Sequence, residues 1–162
     1  MVCLTSFLHG MGYIMALPQQ KTREIVFQIL YSQDVVKIED EDIIPFIMSL
    51  LMVTKKSVLQ ALEKCHQIRE KLTEIDALVQ EVSTSYDFER IPLIERNILR
   101  LAIHEILFEQ QVPGKVAIAE AIRLARKFST PESATFINAV VDPIYQRQLL
   151  NKSASKEQAL LT

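Results

Sequence analysis

Residues 112–142 read VPGKVAIAEAIRLARKFSTPESATFINAVVD, and this stretch decides the fold. Ile118, Ala121, Ile122, Ala125 and Phe128 recur at helical spacing, so one side of its first half is apolar. Lys115, Arg123, Arg126 and Lys127 lie off that stripe, opposed in the same helix only by Glu120. The break between the halves has the chemistry of a helix start. Thr130 is an N-cap residue, Pro131 suits the first helical position, and Glu132 sets a negative charge at the positive end of the dipole. The stretch therefore reads as a helix, a capped turn and a second helix.

Composition bounds the rest. The chain of 162 residues has room for one ordinary domain with a real core. A hydrophobic content of 49% argues against disorder, and three glycines with six prolines argue against a loop-rich β fold. The formal charge of −2 excludes a protein that coats nucleic acid by bulk charge, so any such role needs a local basic patch and a partner. Cys3 and Cys65 provide neither ligand spacing nor a disulfide framework. Cys65 is expected as a free, buried thiol, which fits a reducing cytoplasm.

Upstream, residues 1–16 are moderately apolar but lack an early Lys or Arg and are interrupted by His9 and two glycines, a poor signal peptide. Met15-Ala-Leu-Pro precedes a good helix signal, so 1–16 is expected to be an unstructured leader, with Met15 as the true start. The spacing predicts a first helix over Gln19 to Gln33, carrying Lys21 and Arg23 in its first turns. The acidic run Glu39-Asp-Glu-Asp42 reads as helix N-terminal charge rather than a metal loop, because its carboxylates are adjacent and no glycine turns the chain. Ile43 to Val53 is too short to span a bilayer and is expected as a buried core helix, with Pro45 in its first turn. From Thr54 to Val82 the apolar spacing gives one long helix or two meeting near Thr73 to Asp76.

Leu93 to Gln110 is the most apolar segment and is expected at the centre of the fold. Arg96, Arg100 and His104 recur along one edge of it, expected as a solvated face with carboxylate partners elsewhere. Pro143 is expected to end the preceding helix, with Asp142 capping a short new one. The result is an all-α, compact helical bundle over 17–150, its two helical halves meeting near 83–92, with a flexible tail over 151–162.

No catalytic chemistry emerges. His104-Glu105 opens like a zinc-protease motif, but Phe108 stands where the second histidine belongs, so no metal site follows. Phosphate-cradling glycine loops and the G-x-S-x-G nucleophile elbow are missing, and His9, His66 and His104 are scattered. We expect no enzyme activity and no cofactor.

The opening stretch resembles the signature of the NusB family of bacterial antitermination factors. There a V-P-Y-K-V-x-I-N-E-A-I-x-L-A-K-x-F segment precedes an acidic-Ser turn and a K-F-V-N-G-V-L-D helix. ERIPLIERNILRLAIHEILF, residues 89–108, is similar to the family's E-R-L-x-x-x-x-R-A-I-L-R-L-A-x-x-E-L, and Lys21-Thr-Arg23-Glu24 resembles the arginine-rich start of its first helix. The likeness is close from about Ile75 to Asp142 and weak over 35–74. It implies an all-helical fold of two small bundles. It also implies binding of boxA-type RNA from ribosomal RNA operons, with ribosomal protein NusE and an RNA polymerase elongation complex carrying other Nus factors. A cytoplasmic, membrane-free setting follows, with a homodimer as one possible state.

The resemblance places RNA contacts at Lys21, Arg23, Tyr31, Glu132 and Phe136, and a NusE contact at Glu95. Phe136 reads equally as a core residue beside Ile137 and Val140. Several positions depart from the family pattern. Gln19 and Gln20 stand where further arginines are usual, which removes about two counterions' worth of salt dependence. Gly114 replaces an aromatic, Ala119 an asparagine, Ala134-Thr135 a more polar or basic pair, and Ala139 a glycine, which would demand wider helix spacing. These losses leave open a second reading, a scaffold that binds NusE with little direct RNA contact.

Overall fold

A computed structural model describes residues 17–160. The expected leader and the choice between Met1 and Met15 lie outside the described residues. Within them the chain forms seven α-helices and one 3-10 turn: α1 Gln19–Val36, α2 Asp40–Leu51, α3 Lys55–Glu70, α4 Leu72–Val82, the turn Phe88–Arg90, α5 Leu93–Phe108, α6 Gly114–Phe128 and α7 Pro131–Leu160. None of these helices is long and apolar enough to cross a membrane.

The first three helices pack on one another, and α4 to α7 form a second group. The most apolar segment, α5, lies between them, touching α1 and α3 on one side and α4, α6 and α7 on the other. Its Ile98, Leu99, Leu101 and Ile103 are all but inaccessible to solvent. The Thr54–Val82 segment resolves into two helices that part at Lys71, a few residues before the expected junction. By packing, α4 joins α5 and α7, and residues 83–92 are its short connector to α5.

Several expectations are corrected. The α2 helix begins at Asp40, so the acidic run forms its first turn and Pro45 lies in its second. Only Ile43 and Ile47 of α2 are buried, while Phe46, Leu50 and the following Met52 are exposed, so it is a surface helix and not a core one. Too few elements cover it: α2 packs only on α1 and α3. The α7 helix continues through Pro143 to Leu160, where a break at the proline was expected. Pro143 and Ala139, whose carbonyl loses its donor, both lie on the exposed side of α7, so the missing hydrogen bond opens to water rather than to the core.

The polar edge of α5 is not solvated. Arg100 is 7% exposed and His104 4% exposed. Arg100 donates from Nε and Nη2 to the two oxygens of Asp76 at 2.9 and 2.7 Å, and from Nη1 to Asp34 Oδ2 at 3.0 Å. Helices α1 and α4 close over the edge, and their carboxylates replace the water that the guanidinium loses. Cys65 is buried and free as expected, and burial pushes its thiol up to about 12.

Candidate nucleic-acid and partner interface

The α6–α7 turn is built as its sequence indicates. Ser133 N–H donates to the Thr130 hydroxyl at 3.1 Å, closing the cap, and Pro131 opens α7. The apolar stripe of α6 is rotated slightly from the expected one. Ala117, Ala121, Leu124 and Ala125 are buried at its centre, while Ile118, Ile122 and Phe128 flank it half-buried. Small residues at the centre let α6 lie close to α5.

The capped turn faces the start of α5. There Glu95, 5% exposed, accepts a hydrogen bond at Oε1 from Ser129 Oγ at 2.6 Å and a second from Ser133 Oγ. Its Oε2 is buried and has no hydrogen-bond partner among the described residues. An unpaired buried carboxylate oxygen is costly, so this atom calls for a donor from outside. Beside it lies a recess of about 260 Å³ lined by Tyr86, Arg90, Ile91, Pro92, Glu95, Glu132, Ser133 and Phe136. Phe136 is half-buried and meets exposed Tyr86 edge-on, ring centroids 5.6 Å apart. Glu132 is exposed; the backbone N–H at the helix start and then the Thr130 hydroxyl hold its carboxyl below the usual range. The far wall is pinned by Arg96, whose Nη2 donates to the carbonyls of Phe88, Glu89 and Ile91 at 3.1–3.2 Å while its guanidinium stacks on Phe88.

Three of the six expected contact residues therefore meet in one place: Glu95, Glu132 and Phe136. The other three lie on α1, outside the recess lining. Lys21 is partly exposed, 3.9 Å from Glu24. Arg23 is 5% exposed, its Nε 3.0 Å from both oxygens of Glu105, which also accepts from Lys64 at 2.6 Å. Arg23 thus forms an internal strut between α1 and α5. Tyr31 is half-buried and stacks on Phe27 at 6.0 Å. Tyr86, which completes this recess, is not singled out by the sequence. No periodic signal marks a loop aromatic that tertiary folding lays against Phe136.

An all-α bundle in two packed groups, with its expected contact groups at the capped α6–α7 turn, the start of α5 and along α1, defines the class. The family model for the NusB family matches residues 20–146, and the chain belongs to that family. It is 36% identical over 137 residues to the transcription antitermination protein NusB of Chlamydia pneumoniae, covering 85% of this chain and 86% of the relative. The solved structure of T. maritima NusB superposes with a TM-score of 0.71 at 33% identity, covering 82% of this chain and 93% of that one. A crystal structure of antitermination factors NusB and NusE in complex with dsRNA gives a TM-score of 0.69 at 20% identity, over 80% of this chain and 96% of that one, a likeness of fold.

Proposed function

We propose that this protein acts in transcription antitermination by binding boxA-type RNA of ribosomal RNA transcripts together with ribosomal protein NusE. It works in the cytoplasm, within an RNA polymerase elongation complex, and by binding rather than catalysis. The observation that carries this reading is the recess where Glu95, Glu132 and Phe136 converge. Its unpaired Glu95 Oε2 suits a donor from a protein partner, and the Phe136–Tyr86 pair suits a base or a partner's apolar side chain. Family membership and the named relatives support the same assignment. On α1, Lys21 supplies a phosphate contact and Tyr31 a partly open ring, while Arg23 positions the helix that carries them.

A mobility-shift titration with boxA-type and scrambled RNA, with and without NusE, tests this. We expect weak binding alone and tighter, boxA-selective binding once NusE is present; equal shifts for both RNAs would sink it. The scaffold reading is favoured by one observation, the burial of Arg23 beside the missing cations at Gln19 and Gln20. It predicts NusE binding that does not strengthen when RNA is added.

A further inference from the structure

Glu24 on α1 lies beneath three cations. Arg123 Nη1 is 2.7 Å from its Oε1, and Lys127 Nζ and Lys21 Nζ are 2.8 and 3.9 Å from its Oε2. The carboxylate side chain is 8% exposed, whereas Lys21, Arg123 and Lys127 are 33%, 28% and 49% exposed. The anion is inside and the cations outside, so positive charge faces the surface. Burial pushes the Glu24 carboxyl up, but Lys127 and Arg123 outweigh it and hold the group below its ordinary value, so it stays charged and keeps the cations in place.

Arg123 has a second anchor. Its Nε and Nη2 are each 3.0 Å from Glu120 Oε2, and Nη2 donates to the Gln20 carbonyl at 3.2 Å. One turn on, Arg126 is exposed and has no ion pair among the described residues. Lys115, Arg123 and Arg126 turn away from Ala117, Ala121, Leu124 and Ala125, Lys127 lies at their flank, and the one carboxylate beside them on α6, Glu120, is 8% exposed. Aromatic rings adjoin the cations. Lys127 Nζ sits 5.4 Å from the Phe128 ring, Phe128 packs on Phe27 at 4.8 Å, and Phe27 stacks on Tyr31. Fixed cations beside partly open rings are the chemistry that holds a single-stranded nucleic acid.

We propose that the outer side of α6, through Arg123, Arg126 and Lys127 with Lys21 of α1, is the phosphate-binding track of this protein. It takes over the charge that Gln19 and Gln20 leave missing. The positive surface is displaced from the first turn of α1 to α6, whose side chains meet α1 at Glu24, and this rests on the RNA-binding reading above.

The test is a titration of labelled single-stranded boxA-type RNA with the full chain and NusE, repeated from about 50 to about 200 mM salt. Arg126→Gln with Lys127→Gln removes two exposed cations and leaves Arg123 on its anchors. The salt slope is expected to fall by about 1.4, at ~0.7 per lost contact on a single strand, with affinity at the low-salt end down on the order of tenfold. Ala119→Glu, which puts one anion on the same exposed side without breaking a pair, is expected to weaken RNA binding several-fold. Lys152→Gln with Lys156→Gln on distal α7 should leave the slope unchanged. If the unaltered protein binds RNA but neither α6 variant changes slope or affinity, the track is wrong and the RNA reading stands. If the unaltered protein binds no RNA with NusE present, that reading falls and the track with it. Loss of NusE binding at an unchanged slope assigns this side to a protein partner and overturns the proposal.

Discussion

Gly114 and Tyr145 share one space. A Cβ on Gly114 would run into Cε2 and Cδ2 of the Tyr145 ring. The NusB-family pattern has an aromatic at position 114, so here the ring enters the α6–α7 contact from the opposite helix. Gly114→Tyr is expected to destabilise the fold by ~1–3 kcal/mol through overpacking. Tyr145→Ala in the same chain should recover much of that loss, and a double-mutant cycle by urea denaturation measures the coupling. Purely additive effects would show that the two rings do not compete.

Arg100 is the other strict test of packing. It holds Asp34 of α1 and Asp76 of α4 against α5, and its side chain is 9% exposed. Arg100→Ala removes the common partner of two partly buried carboxylates and is expected to cost about 3 kcal/mol or more. Arg100→Lys should rescue only part of this, since one ammonium cannot reproduce the forked contact. The urea midpoint at constant m-value checks both.

Acid should loosen the α3–α5 seam. Burial pushes the Glu109 carboxyl up, but the His104 ring, its Nδ1 3.2 Å away though poorly aligned for a hydrogen bond, and Lys64 at 3.0 Å outweigh it and bring it down to about 2. A depressed carboxyl contributes its full stability above the unfolded value near 4.5, and loses it as pH falls through that value toward about 2. The contribution has an upper bound of about 3 kcal/mol. Lys64→Met should shrink the loss between those pH values, as followed by helical circular dichroism in urea.

Phe136 separates core from contact. Half-buried against Tyr86, it is expected to tolerate Phe136→Leu with a small change in melting temperature. RNA binding in the presence of NusE should fall on the order of tenfold, because stacking on a base contributes ~1–3 kcal/mol. A large drop in stability with unchanged RNA binding would make it a core residue.

Local pattern determined the helices and their caps. Thr130, Pro131 and Glu132 announce the start of α7, and the continuous apolar run from Leu93 marks the central α5, because capping and periodicity are properties of neighbours along the chain. The family-like strings also marked Glu95, Glu132 and Phe136 in advance, and these three do meet at one recess. Tertiary structure decided what such local signals cannot. Exposure of α2 and burial of Arg23, Arg100 and His104 depend on which helices close over them, as do the passage of α7 through solvent-exposed Pro143 and the approach of Tyr86 to Phe136. So does the charge on the outer side of α6. In sequence, Glu24 and Arg123 are far apart and nearly cancel. Folding buries the carboxylate and leaves the cations in water, and only that asymmetry turns an almost neutral chain into one with a positive face.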